Sequence, residues 1–61
     1  MIKGKQYVRK DGKPMLFGIH VGIFTGYSGA NWPMFDLGEN KMCMINAPDE
    51  YFIEHEKGAG K

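Results

Sequence analysis

The sequence predicts an all-β domain: a small, partly open barrel of four to five short antiparallel strands, with one 3₁₀ turn near residues 47–50. Three observations carry this expectation. Nine glycines and three prolines in 61 residues break any long helix, because a glycine in a helix interior costs about 1 kcal/mol. Apolar residues alternate with a period of two between Leu16 and Phe24, the spacing of a half-buried strand. Asp11-Gly12 and Gly38-Glu39-Asn40 are reversal signals with extended sequence on either side.

Taken in order, residues 1–5 are expected to be ragged, with fraying over 1–4. Gln6 to Arg9 forms a short strand, with Tyr7 and Arg9 on one face and Val8 on the other. Asp11-Gly12-Lys13-Pro14 turns the chain directly into a second strand. There Phe17, Ile19, Val21 and Ile23 point one way and Leu16, Gly18, His20, Gly22 and Phe24 the other. The glycines either relieve crowding where a bent strand crosses a small barrel or leave a bare strip for a partner's backbone. Thr25 to Pro33 is a loop carrying Tyr27 and Trp32.

Strand propensity returns at Met34 to Leu37 and, after the reversal, at Lys41 to Ile45. Met42 and Met44 share one face of that last segment and Cys43 and Ile45 the other. With both faces apolar, the strand is expected to be central or to close the barrel. Asn46-Ala47-Pro48-Asp49-Glu50 has the residues of a helix start, but Tyr51 to Glu56 alternate. A short 3₁₀ turn over 47–50 followed by an edge strand over 51–56 reconciles the two, with 58–61 fraying.

A strand, a turn of sequence Ala-Pro-Asp-Glu-Tyr and a final strand, spanning Ala47 to Glu56, resemble the close of an SH3-like barrel. In that family a proline and a tyrosine in a 3₁₀ turn precede the last strand. The resemblance implies that Pro48 and Tyr51 occupy the positions that help line a proline-binding groove. The Ala-Leu-Tyr-type opening strand, the paired tryptophans and the acidic first loop of peptide-binding members are missing, so the similarity bears on fold and not on ligand.

Composition narrows function. A chain of this length is one domain and buries only about 60% of its extended surface, leaving no room for a dinucleotide-binding fold, a triad hydrolase or a lidded cleft. The least charged stretch, Pro14 to Phe35, includes His20, glycines and prolines and is not a membrane span. Early cations interrupt any signal peptide, and a single cysteine, Cys43, allows no internal disulfide; both point to the cytoplasm. Cys43, His20 and His55 lack paired ligand spacing, so no metal or other cofactor is expected. On a strand, Glu54 and Glu56 point away from His55, and no phosphate-binding glycine loop is present. The expected protein is not an enzyme.

Charge is divided along the chain. Residues 1–13 hold Lys3, Lys5, Arg9, Lys10 and Lys13 against Asp11. Residues 36–56 hold Asp36, Glu39, Asp49, Glu50, Glu54 and Glu56 against Lys41. If the two ends pair as neighbouring strands, these charges partly cancel.

The expected function is that of a protein-interaction module, an adaptor or inhibitor occluding a surface of a larger protein that bears a basic patch. Tyr27, Trp32, Phe35 and Tyr51 are the aromatic anchors, with Glu50 and Glu54 selecting the partner. Self-association as a dimer through the edge strand belongs to the same class. The alternative is a small barrel that binds RNA or single strands, using Lys5, Tyr7, Arg9, Lys10 and Lys13 as a phosphate track.

Overall fold

The computed structural model describes residues 1–55. Five antiparallel strands form one sheet: β1 (Gln6–Arg9), β2 (Gly22–Tyr27), β3 (Pro33–Gly38), β4 (Lys41–Met44) and β5 (Phe52–Glu54). A 3₁₀ turn, Asp49–Tyr51, precedes β5. The strand order is β4-β3-β2-β1-β5, so the first and last strands are neighbours and β4 and β5 are the free edges. The part of the expected final strand beyond residue 55 and the expected fraying of 58–61 lie outside the described residues.

Curvature follows from the core. Phe35 on β3 and Phe52 on β5 have ring centroids 5.0 Å apart, although β2 and β1 lie between their strands. At ~4.8 Å per strand a flat sheet would separate those strands by ~14 Å. The sheet therefore curls over its inner face without closing. Tyr7, Met15, Phe24, Phe35 and Phe52 fill the concavity. Tyr7 meets Phe24 edge-on at 6.3 Å, and Phe24 lies 5.9 Å from Phe35, within the range where aromatic quadrupoles attract.

The longest expected strand is the main correction. Its first half is not a strand: Leu16 and Ile19 exchange hydrogen bonds of 3.2 and 2.8 Å around a Phe17-Gly18 turn, with Gly18 at φ 75°. Phe17 stands 97% exposed at the tip while Met15 is buried. The Asp11-Gly12 turn is present, with Gly12 N–H bonded to the Arg9 carbonyl, but it opens a long excursion instead of a tight hairpin. The buried face of β2 is also the reverse of the β-branched one: Gly22, Phe24 and Gly26 point inward and Ile23 outward.

Gly22 shows why. A Cβ there would lie 2.8 Å from both Met15 Sδ and Phe35 Cβ. Of the two explanations for the glycine face, crowding is the one realised at this position.

β4 is an edge strand and not the central or closing strand expected, and Met42 and Met44 stand exposed. Its hairpin with β3 turns through Glu39 and Asn40, both at positive φ (53° and 62°), the geometry of a type I′ turn. The first four residues, expected to fray, are tethered. Met1 packs against the core, Ile2 N–H donates to the Tyr7 hydroxyl at 2.8 Å, and Gly4 N–H donates to the Phe24 carbonyl at 2.9 Å. No helix among the described residues is long and apolar enough to cross a membrane.

Candidate functional site

Two tyrosines clamp the 3₁₀ turn. Tyr27, at the end of β2, donates a 2.5 Å hydrogen bond to Asp49 Oδ2, and the amino terminus lies 3.5 Å from the same oxygen. Tyr51, at the turn's other end, donates its hydroxyl proton to Asp11 Oδ2 in the loop after β1. The turn has no side-chain cap of its own, so these contacts fix its position from outside. Lys10 N–H, bonded to the Tyr51 carbonyl at 2.8 Å, fastens the same junction through the backbone.

Arg9 completes the Tyr51–Asp11 pair. Its guanidinium donates to Asp11 Oδ2 at 3.0 Å and to the Tyr51 hydroxyl at 3.2 Å, and its carbon lies 5.3 Å from the Tyr51 ring centroid. The Tyr51 hydroxyl, the Lys13 amide and the Arg9 charge together hold the Asp11 carboxyl down to about 2. The Tyr51 hydroxyl and the Asp11 carboxylate push Arg9 above its ordinary value. Hydrogen bonding to Asp49, then burial, raises the Tyr27 phenol, so it is a neutral donor at physiological pH.

Trp32 lies next to Tyr27. It closes the β2–β3 loop, with Ser28 N–H bonded to its carbonyl at 2.9 Å and its own N–H bonded to Ser28 Oγ at 3.2 Å. The following residue, Pro33, pairs with Tyr27 across the hairpin. Tyr27 and Trp32 remain 45% and 38% exposed, and Tyr51 is half-buried. Asp49 and Glu50 are exposed along the turn that links the two tyrosines. The chain matches no family model, no curated protein and no solved structure.

Tyr27 and Trp32 lie at the β2–β3 loop end of the sheet, whereas the register places Tyr51 beside Lys10 at the opposite strand end; the turn that begins after Pro48 and carries Glu50 links the two. Two expected contacts fall elsewhere. Phe35 has no exposed surface and is core, because the pleat that turns Met34 and Asp36 outward turns it inward. Glu54 sits on the β5 edge with Lys5 Nζ 3.7 Å away, so at this position the charges of the two chain ends do pair across neighbouring strands.

The phosphate track is dispersed. Tyr7 is buried and its hydroxyl accepts from the Ile2 amide, a correction to its expected place in the phosphate track. Arg9 is paired with Asp11 and Lys5 with Glu54, which leaves Lys10 and Lys13 as the exposed cations of the set without a carboxylate partner among the described residues. Those residues contain no group of three or more His, Cys, Asp or Glu able to hold a metal ion. Burial raises the Cys43 thiol above its ordinary value, and Cys43 packs against the core cluster.

Asp11 and Asp49 were absent from the sequence-based site. Each lies far from its tyrosine along the chain, 40 and 22 positions respectively, and nothing in local spacing links them. The sequence signals are the Asp-Gly reversal at Asp11 and the acidic pair Asp49-Glu50.

Proposed function

We propose that the protein is a non-enzymatic interaction module, an adaptor or inhibitor that covers a surface of a larger protein bearing a Lys/Arg patch. The observation that carries the reading is the double clamp on the 3₁₀ turn, in which Asp49 holds Tyr27 near the exposed Trp32 and Asp11 holds Tyr51 at the turn's other end. Rings fixed before binding lose little conformational freedom on contact, which favours affinity. Trp and Tyr are also the residue types in which interface energy concentrates. Glu50 and Asp49 supply charge that steers a basic partner and rejects acidic ones.

The proposed architecture is a small SH3-like, partly open barrel, supported by the curled sheet and by the 3₁₀ turn immediately before β5. The proposed location is the cytoplasm, on the strength of the lone cysteine. An RNA-binding role has less support, since two of its five residues are paired with carboxylates and a third is interior.

The test is capture from native lysate with the tagged chain, divided into nuclease-treated and untreated samples. A stoichiometric protein that survives nuclease and is lost with Trp32→Ala, in a variant that keeps the wild-type fold by circular dichroism, supports the reading. Recovery of RNA alone, or of proteins only when RNA is intact, refutes it.

A further inference from the structure

We propose that the outer face of the β3–β4 hairpin is a binding site for a soft monovalent metal ion, Cu(I) or Ag(I), formed by the thioethers of Met34, Met42 and Met44. Three of the protein's five methionines meet here through the strand register. Met34 is directly opposite Met44 and Asp36 directly opposite Met42. Residues paired across an antiparallel ladder share a face, and so do alternate residues of one strand. All three thioethers therefore project from the same side, away from Phe35 and the core.

The spacing suits a shared ligand. Directly opposed residues have Cβ atoms ~5 Å apart and alternate strand residues lie ~7 Å apart. Methionine's three rotatable bonds let sulfurs on such a triangle turn toward one point. An open hollow of about 310 Å³ lies between these side chains, lined by Met34, Met42, Cys43 and Met44. Met42 and Met44 are 59% and 54% exposed, so an ion reaches them without any opening of the fold.

The donor chemistry selects the ion. Thioethers are neutral, soft ligands that favour Cu(I) over the harder divalent metals. Asp36, beside Met42 on the same face, places a carboxylate near the single positive charge; its Oδ1 also accepts from the Gly38 amide at 2.9 Å. Cys43 is paired with the inward-facing Phe35 and packs against the core, so the site is assigned to the methionines alone. Thioethers carry no proton to displace. Binding therefore does not weaken between pH 7 and pH 5, in contrast to sites built on histidine or thiolate ligands.

Titration with Ag(I), followed by calorimetry and native mass spectrometry, tests the proposal; Cu(I) with a competing chelator under reducing, anaerobic conditions provides the second probe. Wild type is expected to take up a single equivalent with the same affinity at pH 7 and pH 5, and Cys43→Ser to behave as wild type. The combined variant Met34→Leu, Met42→Leu, Met44→Leu keeps volume and apolar character, so it retains the fold and loses the ion. No stoichiometric uptake by wild type, undiminished uptake by the folded leucine variant, or loss of uptake in Cys43→Ser would each overturn the assignment.

Discussion

Tyr51 hands a hydrogen bond to Asp11 across 40 positions of sequence, fastening the turn before the last strand to the loop after the first. Arg9 reinforces the pair from β1, so loop, turn and sheet edge meet at one polar junction. That junction orients the Tyr51 ring and holds Asp11 ionised.

The Asp11 carboxyl, held down to about 2 against an ordinary value of 3.8, gives the fold a pH dependence of definite sign. The folded state favours the ionised form, so its contribution is complete above 3.8 and is lost as pH falls through about 2. A carbon-detected NMR titration is expected to place the Asp11 carboxyl well below its ordinary value of 3.8. In Tyr51→Phe, which removes the largest cause, the value moves up toward 3.8; an unchanged value would show that the hydroxyl does not hold it.

Two phenylalanines that look alike in sequence are expected to behave oppositely. Phe35→Ala empties the centre of the core and costs about 3–5 kcal/mol. Phe17→Ala removes a side chain that is 97% exposed and stays within about 0.5 kcal/mol of wild type. Urea unfolding of both variants checks the turn at Phe17-Gly18. Equal losses would restore the continuous strand that the alternating pattern predicted.

The same region shows what was legible in the sequence and what was not. Strand count, the Gln6–Arg9 strand, the Glu39-Asn40 reversal and the 3₁₀ turn before the last strand follow from local residue chemistry. The inner face of β2 does not. Alternation reports which residues share a side, and Ile19, Val21 and Ile23 look like the side to bury. The core selects Phe24 instead, because its ring fits between Tyr7 and Phe35, and Gly22 lets β3 approach. At the candidate site, composition marked Tyr27, Trp32 and Tyr51. Their carboxylate partners come from register and loop path, which no local pattern encodes.

Gly22 gives a third test. Gly22→Ala drives a methyl group to 2.8 Å from Phe35 Cβ and is expected to cost about 1–3 kcal/mol by overpacking. Gly29→Ala, in open space with no neighbour within 4 Å, serves as the control and stabilises by up to about 1 kcal/mol through the unfolded chain. Thermal melts that rank the two the other way would contradict the packing at β2.

Cys43 is expected to be a slow nucleophile. Burial raises its thiol above the ordinary value, so little thiolate exists at neutral pH. Reaction with a disulfide reagent should be slow in the native protein and rapid in denaturant. Fast native labelling would mean that β4 is detached from the core.

The interaction account is tested most directly by charge reversal against the protein partner recovered from lysate. Affinities are compared for wild type, Glu50→Lys and the pair Lys10→Glu, Lys13→Glu at low and moderate salt. The account predicts weakened binding in Glu50→Lys and little change in the lysine pair, because the carboxylates of the 3₁₀ turn, and not the lysines, face the basic partner. Binding that survives Glu50→Lys and collapses with the lysine pair would place the interface on the basic loop and contradict it.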